Sequence, residues 1–297
     1  LHLSIRRQRQ MCIRDSNADT RLDLDKDNRF YIAPALTWQP DANTKLTLLA
    51  RYQKDNQQYA FPNQLMTPGA FGQVNPSVNL GGYDNRWKRS NMVLGYELDH
   101  KFNETWSLRQ NVRYTRLDRE VGDVFPYTVT GGRIAERFFS PSDVTSQSVA
   151  IDTNVQARFV TGPLAHTALV GVDYARTRNE DKNIYQRSFV TGIDLFNPVY
   201  TKLPLLPATN PTIRKLTPEQ IGLYLQDQVK WDKWVVTAGL RHDKTDQSIT
   251  NIAINTGVNT LTEKESSSAT TGRVGAVYLF DSGWAPYVSY ATSFAPE

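Results

Sequence analysis

The feature that most constrains this chain is a strict two-residue alternation of large apolar and polar side chains, sustained in segments of about ten residues and repeated along its length. From Phe30 one face reads Phe30, Ile32, Pro34, Leu36, Trp38 and the other Tyr31, Ala33, Ala35, Thr37. Successive side chains of a strand point to opposite faces, so this spacing makes a sheet with one apolar and one polar side. Gln39-Pro40-Asp41-Ala42-Asn43 then supplies the residues of a tight turn. The chain returns through Leu46, Leu48, Ala50 and Tyr52 against Lys45, Thr47, Arg51 and Gln53.

The same hairpin recurs. Met92, Leu94, Tyr96, Leu98 lead across Asn103-Glu104-Thr105 to Trp106, Leu108, Val112, Tyr114, with Glu97, Asp99, Arg109 and Arg113 on the other face. Further pairs are centred on Thr161-Gly162-Pro163-Leu164, Asp232-Lys233 and Asp281-Ser282-Gly283. Ten strands in five hairpins are expected, at about 29–38, 45–55, 91–102, 106–117, 148–160, 166–176, 219–231, 234–243, 270–280 and 284–294. Between hairpins lie long connections, 56–90, 120–147, 177–218 and 244–269, well beyond the usual loop of about 2–6 residues.

Short turns at one end, long loops at the other and strands of about ten residues are the pattern of an all-β, antiparallel transmembrane outer-membrane β-barrel. Trp38, Trp106, Trp231, Trp234 and Trp284 all fall at the short-turn ends, where an aromatic girdle meets the membrane interface. A soluble β-sandwich also alternates, but the girdle and the loop asymmetry favour the barrel. No run of about 18 apolar residues is present, and mean hydropathy is −0.50, so any membrane span has to be built from strands.

Residues 1–16 are set apart. Arg6 to Ser16 reads RRQRQMCIRDS, which is one reading frame of a common transposase sequencing adapter, and no apolar segment follows it as a signal peptide would require. Without it, 34 basic residues lose Arg6, Arg7, Arg9 and Arg14, and 30 acidic ones lose Asp15, leaving 30 against 29 and a net charge of +1. The apparent pI of 9.0 is then no argument for nucleic acid. Cys12, the one cysteine, goes with the segment, so no disulfide framework is expected.

Residues 17–297 are read as one partial barrel. Leu98 to Asn111 (LDHKFNETWSLRQN), His166 to Asp173 (HTALVGVD), Leu195-Phe196-Asn197-Pro198-Val199, Gly222 to Gln228 (GLYLQDQ), Gly239 to Asp243 (GLRHD) and Pro286 to Phe294 (PYVSYATSF) follow one another in order. On these the chain resembles TonB-dependent siderophore receptors, and among them the ferrichrome (hydroxamate) receptor group, over residues 30–297. The resemblance implies a barrel of about 22 strands around a plug, of which this chain holds about ten strands and neither the plug nor the TonB box. It implies uptake of a ferric siderophore, hydroxamate and ferrichrome-like, across the outer membrane of a Gram-negative bacterium. The TonB-ExbB-ExbD system would act through the plug, and outer-membrane lipid would surround the wall. Iron would enter only as the chelated substrate, with no resident cofactor.

The resemblance also carries residues. Tyr59-Ala60-Phe61 stands where the ferrichrome receptor group has Tyr-Gly-Trp, and Phe125-Pro126-Tyr127 where it has Tyr-Gly-Tyr; both segments line the external ligand pocket there. Tyr185 falls near a further pocket aromatic. A ferric siderophore is iron in an organic shell, so its receptor needs aromatic surface and a few polar donors rather than metal ligands. Phe61 and Phe125 lack polar handles, which leaves room for a different siderophore. Tyr83, Trp87, Phe138 and Phe139 are further loop aromatics, and all of these rings could instead pack the loops together.

Other constellations point to no chemistry. His100, His166 and His242 sit near strand ends without a second ligand at metal spacing. Asp118, Glu120 and Asp123 share their segment with Arg116 and Arg119 and read as a solvated charge run. Gly81-Gly82 and Gly131-Gly132 lack the strand-to-helix setting of a phosphate loop. No nucleophile, base or metal site is expected, and the chain is not read as an enzyme. The alternatives are a TonB-dependent receptor for another ligand, a passive porin or a barrel enzyme.

Overall fold

The computed structural model describes residues 23, 24, 26–58, 74, 75 and 77–295, and the backbone of 9–19. These form one antiparallel sheet of 12 strands: β1 (Arg9–Asp19), β2 (Lys26–Trp38), β3 (Thr44–Gln57), β4 (Arg86–Lys101), β5 (Trp106–Thr130), β6 (Ile134–Thr161), β7 (Leu164–Tyr185), β8 (Ser188–Asp194), β9 (Pro207–Trp231), β10 (Trp234–Ala253), β11 (Asn259–Tyr278) and β12 (Tyr287–Ala291). Chain neighbours pair in sequence except that β8 folds back onto β6 and β9 pairs with β7. The path ends on β1 and β12, so among the described residues the wall is open. Among the described residues no helix is long and apolar enough to cross a membrane, and the one helical element is a single 3₁₀ turn, Gly82–Asp84.

Ten of these strands fall on the segments expected from alternation; most run much further, while β12 is shorter, Tyr287–Ala291 against the expected 284–294. β5 has 25 residues and β6 has 28; at about 3.3 Å per residue β6 alone extends roughly 90 Å, well beyond the ~30 Å of a bilayer interior. The long connections at 120–147 and 244–269 are therefore corrected: they are continuations of the hairpins, closed by Gly131-Gly132 and by the turn at 254–256. Gly131 and Gly132 hold φ of 59° and 63°, the left-handed values that a two-residue hairpin turn demands. β8 was not anticipated at all.

β1 pairs with β2 from Arg9↔Leu36 to Asp19↔Lys26. The unpaired N–H and C=O groups of an open sheet edge accept an extended segment whatever its side chains, so this pairing says nothing about the origin of Arg9–Ser16. The β2–β3 ladder skips from Ile32 to Ala35, around Pro34, which has no N–H to donate.

The two faces of the wall differ as the alternation requires. Leu36, Leu48, Leu94, Val170, Leu223, Leu225, Leu240 and Val274 lie exposed on one side, a continuous apolar band that water would not leave uncovered. The opposite side carries Glu97, Arg109, Asp152, Asp173, Tyr224 and Arg241. The buried hydrophobic residues sit elsewhere, almost all at the end where the strands overshoot the band.

Candidate functional site

At that far end, sheet register brings aromatic rings together. Phe125 of β5 lies opposite Phe138 of β6, and Phe138 opposite Phe189 of β8. Their centroids are 5.5 and 5.3 Å apart, and Tyr127 meets Phe189 edge-on at 5.4 Å, within the range favoured by edge-to-face rings. Tyr127 escapes the ladder because the register slips between Pro126 and Thr128. Tyr127 and Phe189 are 64% and 66% exposed, so this aromatic stack offers contact surface and is not itself a core.

The stack shares its face with the polar side of the wall. Phe125 follows Arg119 by an even number of residues in an unbroken ladder, and Arg119 lies across from Arg89, Asp55 and Arg29. Asp55, 3% exposed, accepts Arg29 Nε at 3.0 Å, Arg89 Nη2 at 2.6 Å and Gln53 Nε2 at 2.9 Å. Nearer the short turns Arg241 donates to Asp173 at 2.5 Å and to Asp243 at 2.6 Å, and Tyr224 Oη donates to Asp152 at 2.8 Å.

The reverse face of the same β5–β6 hairpin is packed. Val124 and Phe139 alternate with Phe125 and Phe138 and are buried with Leu203; Ala135 is buried with Val78, Leu80, Ile193 and Leu195. Three chain segments far apart in sequence thus form a small cap: 77–85, the β5–β6 tip, and 188–206. Polar groups join them. Asn79, fully buried, accepts the N–H groups of Gly81 and Gly82 and donates to Asp23 O, while its own N–H reaches Tyr200 Oη. Leu203 N–H donates to buried Asp84 at 2.5 Å. Asp194 accepts Phe196 N–H at 2.9 Å, Arg133 Nε at 2.6 Å and Asn197 N–H at 3.2 Å, and these donors, the Phe196 N–H first, hold its carboxyl below the ordinary value. Burial lowers the Arg137 guanidinium, against the pull of Asp84 and Tyr200.

The expected site residues fare unequally. Tyr59 and Phe61 lie outside the described residues. Phe125 and Tyr127 are brought together; Tyr185, half-buried at the end of β7 opposite Pro207, lies apart from the stack. Phe138 joins it, Phe139 is core, and Tyr83 packs edge-on against Tyr200 at 6.4 Å. Trp87 Nε1 donates to Asp123 at 3.4 Å. Phe189 was missed because β8 was missed; the alternation Phe189, Val190 before Gly192 was its only signal. Asp118 pairs with Arg116 at 2.8 Å and Glu120 with Arg86 at 3.1 Å, as solvated charge rows do. His100, His166 and His242 bond to Thr44, Asp227 and Thr270 of neighbouring strands. Among the described residues no group of three or more His, Cys, Asp or Glu is placed to hold a metal ion. Trp38, Trp106, Trp231, Trp234 and Trp284 stand exposed at the short-turn end, Trp231 directly across from Trp234.

Known proteins share this architecture. The ferrichrome outer membrane transporter/phage receptor of Escherichia coli (strain K12) is 33% identical over 92% of this chain and 40% of its own length. The ferrioxamine B receptor of Salmonella typhimurium (strain SL1344) is 32% identical over 94% and 39%. Among solved structures, the open form of the ferric-catecholate import receptor Fiu from E. coli K12 superposes with a TM-score of 0.82 at 16% identity, over 97% of this chain and 50% of that one. The chain therefore spans about 40% of the length of its curated relatives. The family described as TonB dependent receptor-like, beta-barrel, matches residues 37–297, and this chain belongs to it.

Proposed function

We propose that this chain is the wall of an outer-membrane receptor and transporter that takes up a ferric hydroxamate siderophore. The observation that carries the reading is the Phe125–Phe138–Phe189–Tyr127 stack, with Phe189 and Tyr127 exposed and Phe125 and Phe138 half-buried, set on the polar face of the wall at the end beyond the apolar band. There it would meet a ligand arriving from outside, and aromatic surface suits an organic shell around iron. Relatives named for ferrichrome and ferrioxamine at 31–33% identity support the substrate class. Tyr59 and Phe61 belong to the proposed contact set through the family resemblance.

In this reading the apolar band faces lipid, the five exposed tryptophans form the girdle at the periplasmic interface, and the polar face lines the lumen. Iron is cargo held by its chelator, so the site needs no metal ligands of its own. Energy would come from TonB with ExbB and ExbD, acting through parts of the receptor outside this chain. The test is iron-limited uptake of radiolabelled ferric ferrichrome and ferrioxamine B by cells with and without the full-length receptor gene. Uptake that depends on the gene is expected; equal uptake of both chelates in the deletion strain removes the reading.

A further inference from the structure

Arg137 is a cation buried in the cap. Its side chain is 2% exposed, and burying a guanidinium is expensive unless every donor is used. It bonds to no carboxylate among the described residues. Nε and Nη2 donate to Thr191 O at 2.9 and 2.6 Å, and Nη1 donates to Leu80 O at 3.3 Å. These two carbonyls belong to two different segments, β8 and 77–85, while Arg137 belongs to β6.

The position of Thr191 explains the need. β8 pairs with β6 through Ser188, Phe189 and Val190 and again through Ile193 and Asp194, but the register slips between Ala135 and Arg137. Among the described residues Thr191 and Gly192 therefore have no partner in this ladder, and it is the Arg137 side chain that donates to the Thr191 carbonyl. The guanidinium fork supplies N–H groups from two nitrogens to that oxygen and from the third to the other segment, a planar spread of donors that the one nitrogen of an ammonium does not have. Phe138 and Phe189, which face each other on the opposite side of the sheet, flank this repair.

We propose that Arg137 is the positioning residue of the aromatic stack: it clamps β8 and segment 77–85 to the tip of β6 and so holds Phe189 against Phe138. This rests on the reading above that the stack contacts a ferric siderophore. The experiment uses the purified full-length receptor, its Arg137→Gln and Arg137→Lys variants, and ferric ferrichrome and ferrioxamine B as probes, reading affinity, amide exchange and thermal unfolding together.

Both variants are expected to raise Kd on the order of tenfold, and Arg137→Gln to speed exchange in both 77–85 and 188–206, while exchange in β9 to β11 and the Tm of the wall stay as in the parent. Arg137→Lys should protect one of the two segments and not both. Unchanged exchange in both segments overturns the clamp, and faster exchange with unchanged Kd overturns the positioning role. If the parent binds neither chelate, the functional reading falls and the exchange arm alone decides the clamp. Should the Arg137 variants fail to fold, exchange of the Arg137 Nε–H in the parent decides: slow exchange is expected of a donor held on Thr191 O, and exchange as fast as that of an exposed arginine overturns the clamp.

Discussion

Replacing Gly171 by Ala should destabilise the wall only as long as Tyr224 is present. The Tyr224 ring lies across Gly171, so a Cβ there would be 2.4 Å from Cζ and 2.5 Å from Oη, whereas carbon contacts settle near 3.5–4.0 Å, so the ring has to lift by about 1 Å. Tyr224 Oη donates to Asp152 at 2.8 and 3.1 Å, and a lift of that size takes it out of hydrogen-bond range. A hydrogen bond to a charged group contributes about 1.5–3 kcal/mol. The Arg241 guanidinium 5.8 Å over the ring adds about 0.5–1 kcal/mol. Against this, removing a glycine from a strand interior gains about 0.5–1 kcal/mol. The net expectation is a loss of about 1–3 kcal/mol. In a Tyr224→Ala background the obstruction is gone, and Gly171→Ala should stabilise by about 0.5–1 kcal/mol. The assay is a double-mutant cycle by urea titration of the full-length receptor refolded into detergent micelles. An equal cost for Gly171→Ala in both backgrounds would refute the argument.

Other outcomes follow from the same geometry. Phe189→Ala and Tyr127→Ala, both exposed and outside the buried clusters, should each weaken ferric siderophore binding on the order of tenfold with an unchanged Tm; calorimetric titration showing parent affinity for both removes the stack from the site. Asp194 has a folded pKa below its ordinary value, so its stabilisation of the cap is present above that ordinary value and is lost as pH falls through the lowered one. Amide protection at Phe196 and Asn197 should therefore decline in acid, and an Asp194→Asn variant with the same acid-dependent decline would show that another group is responsible. Five of the six tryptophans lie at the short-turn end and Trp87 at the other. Single-tryptophan versions of the receptor in vesicles should accordingly divide into two classes by depth-resolved quenching, and Trp87 quenched at the same depth and from the same leaflet as Trp231 contradicts the orientation.

Much of the wall was legible because its code is local. Period-2 alternation needs only neighbouring residues, so Leu36 and Trp38, or Glu97 and Asp99, reveal their faces without reference to the rest of the chain. Short turns such as Asp232-Lys233 announce themselves in the same way. The Gly131-Gly132 pair is equally local and carries the signal of the 120–147 hairpin, which a comparison with phosphate loops alone does not reveal.

By itself the sequence determined ten of the strands, their two faces, the short-turn end and, through ordered resemblance, the family. What only the tertiary structure decided is the cap. Arg137 reaches Thr191 and Leu80 across 54 and 57 residues, and Phe189 meets Phe138 only because β8 turns back onto β6 while β9 takes its place beside β7. Such contacts depend on how distant segments close upon one another, and no periodicity encodes that. Alternation alone sets Arg137 and Phe138 on opposite faces of β6, but only the slip of register beside Arg137 places the Thr191 carbonyl within its reach.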